Sequence, residues 1–307
     1  MTASAAGATG VAGGAGRSGG AVVLVIAGLA CQEVGASVAV LLFPQVGALG
    51  MVMLRLVFSA LILLVVARPG VRGHDRAAWA AVVRLGLALA VMNGLFYLAL
   101  ERLPLGVTVT IEVLGPLTLS ILASRRASAW LWAALALAGV VALGGGGWDR
   151  LDVVGVLCAL GAAAMWALYI LSSARVGAEF AKLDGLALAM AIGALVSLPF
   201  GLATAGSVLL RFDLHVLGIV GLGAAVALLS STLPYAFELI ALRRLAASAF
   251  AILMSLAPAT ATLAGFVLLG QHVSVLEIAG IALVVVASIG AVRAAGRHAR
   301  EATAPLG

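Results

Sequence analysis

The sequence predicts an all-α membrane protein in which ten transmembrane helices form two inverted five-helix repeats. Three observations predict this class: the composition, a series of apolar runs about twenty residues long, and the uneven placement of the basic residues. The 307 residues are 64% hydrophobic and only 10% charged, with a mean hydropathy of +1.23. Soluble domains are roughly 45–50% apolar and 25% charged, so the chain is expected to lie in a bilayer.

The apolar runs give the individual helices. A window of about nineteen residues places them at 21–42, 47–67, 80–100, 105–123, 128–145, 153–173, 185–205, 216–240, 247–269 and 275–292. Roughly twenty helical residues cross a bilayer core. Residues 1–20, rich in Gly, Ala and Ser, are expected to be a flexible tail, and residues 293–307 a cytoplasmic C-terminal tail. Strand-like alternation is absent from the sequence, which argues against a membrane barrel.

The basic residues orient these helices. If both termini are cytoplasmic, the inside segments hold thirteen of the eighteen Lys and Arg residues. The outside segments hold Arg102, Arg150 and Arg211, while Arg55 and Arg84 fall within spans. An excess of Lys and Arg marks cytoplasmic loops. The net charge of +6 gives no nucleic-acid signal, because the basic residues are scattered over short loops.

An internal repeat relates the two halves, 21–145 and 153–292. The pentapeptide Ala-Leu-Glu-Arg-Leu at 99–103 recurs as Ala-Leu-Arg-Arg-Leu at 241–245, and Pro116 recurs as Pro258, an offset of 142 residues in both cases. Five helices is an odd number, so the second half must enter the membrane the opposite way round. Inverted repeats are typical of secondary transporters, whose substrate site lies near the midplane between the repeats.

Glu33 is the first candidate site residue. It lies about twelve residues into the apolar run Ala21–Phe43, near the middle of the predicted span. A charge at that depth costs roughly 2.5–3.5 kcal/mol, so such residues usually face a bundle interior or a water-filled cavity. A structural acid hydrogen-bonded within the bundle is the alternative.

Other polar residues within the predicted spans complete a candidate substrate-binding or coupling site. They are Arg55, Asn93, Tyr97, Glu112, Trp166, Tyr169, Tyr235 and Glu238. Arg55 is a natural counter-ion for Glu33 or Glu112. Glu238 precedes Arg243 by five residues, so an interfacial position is its alternative, and plain packing is the alternative for the two aromatic residues of the sixth span. Pro116 and Pro258 are predicted to break their helices at matched positions, which points to the substrate site.

Motifs for intramembrane or soluble catalysis are absent from the sequence. It contains no H-E-x-x-H, G-x-S-x-G or G-x-x-x-x-G-K-[ST] motif, and its four histidines fall in loops or at span ends. No cluster of His and Cys predicts a metal site. We therefore expect a protein that is not an enzyme and has no cofactor, and that draws its energy from an ion gradient because its loops are too short for an ATPase domain.

Many separated segments carry a resemblance to a known family. They are Gly35–Ser37, Leu42–Pro44, Leu54–Leu56, Pro104–Gly106, Gly115–Pro116, Ser124–Arg126, Trp166–Ser172, Ala178–Glu179, Leu233–Tyr235, Glu238, Ile240–Leu242 and Leu253–Ser255. Together with the repeat, they resemble the EamA-type permeases of the drug/metabolite transporter superfamily, with particular likeness to the branch that exports threonine and homoserine. The resemblance runs from Gly28 to about Val292.

This resemblance implies a ten-helix permease of the bacterial inner membrane, with both termini cytoplasmic, that exports amino acids or similar metabolites in exchange for protons. Two departures are present: Ala257 and Gln271 stand where the family often has glutamate. Proton coupling is therefore expected on Glu33, Glu112 or Glu238. A homodimer is possible. The alternatives are export of drugs or other metabolites by the same fold and, from another class, a membrane protein that transports nothing.

Overall fold

The computed structural model describes residues 9–124, 127–143, 152–211, 213–242, 244–245 and 247–302. Throughout these ranges the regular secondary structure is helical. The helices are α1 (Thr9–Ala67), α2 (Arg76–Leu100), α3 (Leu105–Glu112), α4 (Leu114–Ser124), α5 (Ala127–Leu143), α6 (Val153–Glu179), α7 (Asp184–Leu209), α8 (Leu214–Ala227), a π-helical turn (Leu228–Thr232), α9 (Leu233–Leu242), α10 (Ala247–Met254), α11 (Ala257–Leu269) and α12 (Val275–Ala302).

Eight helical segments among the described residues are long and apolar enough to cross a membrane, and a shorter apolar helix covers Trp130–Leu143. Large apolar side chains are exposed along the outer surface of the bundle, for example Leu61, Leu157 and Leu195. Such a surface suits lipid rather than water. The prediction of an all-helical protein with several spans is confirmed.

Helix α1 bends back on itself at Gly47, whose backbone (φ 72°, ψ 164°) is not helical. Ser230 demonstrates the reversal, because its Oγ donates to the Gln32 carbonyl (3.4 Å) while its own carbonyl accepts from Arg55 Nη2 (2.9 Å). In a straight helix, residues 32 and 55 would lie about 35 Å apart. We call residues 9–46 the first arm of α1 and residues 48–67 the second arm. They correspond to the first two predicted spans.

Helices at both chain ends extend beyond the predicted spans. Helix α1 begins at Thr9, inside the segment 1–20 expected to be a flexible tail, and α12 continues to Ala302, inside the segment 293–307. Extending an existing helix adds one hydrogen bond per residue without a new nucleation cost. Residues 1–8 and 303–307 lie outside the described ranges.

Side-chain caps fix several helix starts. Asp75, Asp152 and Asp213 each accept a hydrogen bond from the backbone N–H three residues on, at 2.7–2.8 Å. These are N-caps, which satisfy donors that the first helical turn leaves free. Ser274 and Glu277 form a reciprocal capping box at the start of α12.

Contacts between loops define the two ends of the bundle. At one end, which we call the Glu101 end, the Glu101 carboxylate accepts from the backbone N–H of Ala48 (3.0 Å), the first residue after the Gly47 bend. At the other, the His74 end, His74 stacks on Phe180 with ring centroids 4.0 Å apart. The loops at 68–75 and 180–183 therefore meet at one end, and the Gly47 bend meets the loop at 101–104 at the other.

Two helices are interrupted at matched prolines. Helix α3 ends at Glu112, four residues before Pro116, and α10 ends at Met254, four residues before Pro258. Proline has no N–H to offer the carbonyl four residues earlier and clashes with it. The breaks therefore fall at equivalent positions, 142 residues apart.

Close glycine contacts hold the halves together. A Cβ on Gly139 would lie 2.7 Å from the Gly280 carbonyl oxygen, and a Cβ on Gly280 would lie 2.6 Å from that of Gly139. The close contact between α5 and α12 is thus reciprocal. Small residues allow this approach, because lipid supplies no hydrophobic force between helices.

Candidate functional site

A cavity of about 340 Å³ lies at the centre of the bundle. Both arms of α1 contribute to its wall, together with α2, α3, α4, α6, the π-helical turn, α9, α10 and α12. Both halves of the chain therefore enclose it, as the repeat predicts. Its polar wall residues include Gln32, Glu33, Arg55, Asn93, Glu112, Ser120, Trp166, Tyr169, Ser230, Tyr235, Glu238, Ser255 and Ser288.

Glu33 and Glu112, two of the three acidic residues in the cavity wall, form what we call its acidic pole. Glu33 is 2% exposed, and its Oε1 has no hydrogen-bond partner among the residues that the structure describes. Glu112 is the last residue of α3, so its side chain enters the wall where the helix breaks. Both side chains line the same cavity as Arg55. A buried oxygen without a partner is costly, so this pole of the cavity is suited to a cationic or hydrogen-donating ligand.

Arg55 forms the basic part of the cavity. Its Nη2 donates to the Ser230 carbonyl (2.9 Å), its Nε to Ser231 Oγ (3.2 Å), and its Nη1 to Tyr97 Oη (3.4 Å). The guanidinium carbon also lies 5.6 Å from the centre of the Tyr97 ring, within the range of a cation–π contact. The guanidinium is therefore held in one orientation by groups on two helical segments, the π-helical turn and α2.

The acceptor at Ser230 is available because of Pro234. In an α-helix the Ser230 carbonyl would accept from the N–H of residue 234, which proline lacks. The helix responds with a π-helical turn, in which the Leu233 N–H bonds to the Leu228 carbonyl. Turns of this kind often occur at functional sites. The carbonyl freed by Pro234 is the one that holds Arg55.

The structure brings most of the predicted site residues together. Glu33, Arg55, Asn93, Glu112, Trp166, Tyr169, Tyr235, Glu238 and Pro116 all line the cavity. Asn93 is anchored by Nδ2 donating to the Leu89 carbonyl (2.8 Å). Tyr97 and Pro258 do not belong to the wall. Tyr97 is fully buried between Arg55 and the rings of Phe43 and Phe96, so it orients the arginine from behind.

The expected ion pairing of Arg55 needs correction. In the described part of the chain, Arg55 makes no ion pair within 4.0 Å with either Glu33 or Glu112; an ion pair joins Arg102 and Asp152 instead. The guanidinium is drawn to the Ser230 carbonyl instead. The acids and the arginine are therefore separate parts of one cavity.

Sequence reasoning did not single out Gln32, Ser230, Met254 and Ser255 as site residues. The signals for Ser230 and Met254 were present, because each lies four residues before a proline within a span. The repeat offset offers another signal. Cavity residues pair at a spacing of 142: Asn93 with Tyr235, Phe96 with Glu238, Glu112 with Met254, and Val113 with Ser255.

The cavity extends toward the His74 end. Three wall residues, Ser120, Glu238 and Phe250, lie about one turn from the helix ends on that side. The Glu101 end is tied by polar contacts instead. Beyond the cap on Ala48, Arg102 Nη1 contacts Asp152 Oδ2 (3.2 Å), and Gln271 Oε1 accepts from the Leu105 N–H (3.0 Å).

Known proteins resemble this chain in sequence. Residues 153–293 match the model of the EamA-like transporter family. The threonine/homoserine exporter RhtA of Escherichia coli (strain K12) is 37% identical over 271 residues, 88% of this chain and 90% of that protein. The protein of the same name from Salmonella typhimurium (strain SL1344) is 39% identical over 270 residues, 87% of this chain and 89% of its own.

A solved structure also resembles this fold. It is titled "Crystal structure of protein", and it superimposes with a TM-score of 0.55 at 20% identity, covering 93% of this chain and 99% of its own. At that identity the likeness concerns the fold alone.

Proposed function

Because this chain belongs to the EamA-like transporter family, we propose that it is a secondary-active exporter of threonine, homoserine or similar small metabolites in the bacterial inner membrane. Relatives that are 37–39% identical over almost their whole length carry the name of threonine/homoserine exporters. They are named as transporters, not as enzymes. The observation that carries the proposal is the cavity, which holds acids and a fixed arginine at the centre of a membrane bundle.

We propose ten spans arranged as two inverted repeats. Counting the two arms of α1 separately and adding the helix Trp130–Leu143 to the other segments gives ten. The matched helix breaks, the reciprocal contact of Gly139 with Gly280 and the paired cavity residues support the inverted relation. The excess of basic residues in the segments of the His74 end supports an orientation with both termini in the cytoplasm.

The substrate would bind as a zwitterion between the two poles of the cavity. A guanidinium has five N–H groups, and the contacts of Arg55 occupy three of them. Two remain for a substrate carboxylate. The ammonium group would lie at Glu33 and Glu112, where the partnerless Oε1 of Glu33 needs a donor. Asn93, Trp166, Tyr169 and Tyr235 would contact the remainder of the molecule.

The size of the cavity supports a small substrate. A volume of about 340 Å³ lies at the lower end of the range for small-molecule pockets, which is about 300–1,000 Å³. Export of drugs or other metabolites is the second candidate. Its larger apolar substrates would require a wider and less polar wall.

Transport would proceed by rocking of one repeat against the other. In the conformation of this structure, the contacts of Glu101, Arg102 and Gln271 would close the outer side of the cavity. In the outward-facing conformation these contacts would be broken. A proton would replace the substrate ammonium at Glu33, Glu112 or Glu238 on the return step, which gives exchange of substrate for protons.

Flux of labelled threonine from loaded proteoliposomes with an imposed pH gradient tests this function. We expect saturable, pH-driven flux for the wild type and for the Glu179→Gln variant, which removes an exposed acid outside the cavity. We expect Glu112→Gln to lose the pH-driven component. Undiminished, still pH-driven flux in Glu112→Gln would remove that residue from coupling, and no threonine flux in the wild type would refute the substrate assignment.

A further inference from the structure

Two arginines lie on the outer surface of the helix pair α2 and α6, outside the cavity wall. Arg84 is exposed on α2, two turns inside the helix start at Arg76, and Arg175 is exposed on α6, close to its end at Glu179. Neither belongs to the described cavity. Both stand toward the His74 end of the bundle, since their helix ends adjoin the loops that meet there.

A hydrogen bond joins the two helices at this point. Arg84 Nε donates to Ser172 Oγ at 3.1 Å, and Arg175 follows Ser172 by three residues, which places it on the same helix face. The contact uses Nε and leaves the Nη groups of Arg84 available. Among the described residues, neither arginine has a carboxylate within 4.0 Å. Glu179, one turn beyond Arg175, is exposed as well.

Apolar side chains continue the same surface toward the middle of the bundle. Leu87 and Val91 follow Arg84 at helical spacings of three and seven residues and are 45% and 42% exposed. Leu171 on α6, next to Ser172, is 58% exposed. The surface thus combines exposed apolar side chains with two guanidinium groups at one end of it.

We propose that this surface binds an anionic phospholipid of the leaflet at the His74 end. The phosphate would accept hydrogen bonds from Arg84 and Arg175, and the acyl chains would lie along Leu87, Val91 and Leu171. A guanidinium facing hydrocarbon is unfavourable unless it reaches the headgroup region. Arg84 lies only five residues, about 7.5 Å, beyond Trp79, an aromatic residue of the type that lies at the membrane interface. Basic pockets between helices on this side are suited to anionic headgroups.

Lipid titration of the purified full-length protein tests the proposal. Thermal unfolding in detergent is followed while phosphatidylglycerol or phosphatidylcholine is added to the wild type and to Arg84→Gln, Arg175→Gln and Arg211→Gln. Arg211 is exposed near the Glu101 end and serves as the matched control. Phosphatidylglycerol should raise the unfolding temperature of the wild type and of Arg211→Gln, with the same half-maximal lipid concentration for both. The half-maximal concentration should increase about fivefold for each of the other two variants, and phosphatidylcholine should have a smaller effect.

Loss of the contact to Ser172 would itself destabilise Arg84→Gln. Arg175→Gln keeps the test decisive in that case, because Arg175 makes no hydrogen bond to another side chain within the described ranges. Equal titration curves for the wild type, Arg175→Gln and Arg211→Gln would overturn the proposal. Equal stabilisation by phosphatidylcholine and phosphatidylglycerol would overturn it as well, since the headgroup charge would then be irrelevant.

Discussion

Arg55 donates a hydrogen bond to the backbone carbonyl of Ser230 at 2.9 Å, across a distance of 175 residues in sequence. The bond links the second arm of α1 in the first half of the chain to the π-helical turn in the second half. It exists because Pro234 leaves that carbonyl without its usual helical donor. A proline in the second half of the chain therefore positions a cation in the first half.

Substitution of Arg55 tests this positioning. Lysine keeps the charge but lacks the planar fork that contacts Ser230, Ser231 and Tyr97 together. We expect Arg55→Lys to reduce threonine flux in proteoliposomes roughly tenfold to a hundredfold, the range for losing one hydrogen bond to a charged group. Arg211→Lys, at an exposed site, should transport like the wild type. Normal flux in Arg55→Lys would mean that charge alone suffices.

Glu33→Gln separates the functional interpretation of this acid from the structural one. Glutamine is nearly isosteric and cannot ionise, so it removes the cost of burying a charge at this position. We expect unchanged or slightly higher thermal stability together with a large loss of threonine flux. A variant that folds and transports normally would identify Glu33 as a packing residue.

Gly115 tests the packing of α4 against α6. A Cβ at this position would collide with the backbone carbonyl of Ala163, and backbone cannot move aside as a side chain can. We expect Gly115→Ala to lower the stability of the folded protein by about 1–3 kcal/mol, measured as a decrease in the thermal unfolding temperature. Gly218→Ala, where nothing lies within 4 Å of the added Cβ, should be neutral or mildly stabilising. Equal effects at both positions would contradict the close approach.

Asp152, the N-cap of α6, makes the stability of the folded protein depend on pH. The hydrogen bond from the Gly155 N–H, assisted by Arg102, holds the pKa of the Asp152 carboxyl below its usual value. A lowered pKa in the folded state means that the stabilisation is complete above the ordinary aspartate pKa, about 3.9, and is lost as the pH falls through the folded-state value. The stability difference between the wild type and Asp152→Ala should therefore be constant from pH 6 to 8 and shrink below about pH 4. A difference that changes between pH 6 and 8 would assign the effect to another group.

Much of this site was predictable because a charged residue within a membrane span usually faces the bundle interior or a water-filled cavity. Glu33, Arg55 and Glu112 each interrupt a run too long to lie outside the bilayer, and all three line one cavity. The helix positions followed from hydropathy in the same way, including the division of α1 close to Gly47.

The sequence did not determine which group would bind the Arg55 guanidinium. Opposite charges within a membrane favour an ion pair, yet Arg55 bonds to a backbone carbonyl that only Pro234 makes available. Tyr97 has the helical spacing of a cavity residue relative to Asn93, but three-dimensional packing places it behind Arg55. Backbone acceptors and the order of layers around a cavity depend on tertiary structure, which periodicity alone does not determine.

Equilibrium binding of labelled L-threonine to the purified protein tests the two-pole cavity most directly. Competition with threonine amide, which lacks the carboxylate, and with N-acetylthreonine, which lacks the ammonium group, is measured in the wild type and in Arg55→Gln. We predict that each analogue competes at least about tenfold less well than threonine with the wild type, a difference of about 1.4 kcal/mol, and that Arg55→Gln loses the discrimination against the amide. Equal competition by threonine and both analogues in the wild type would contradict the account.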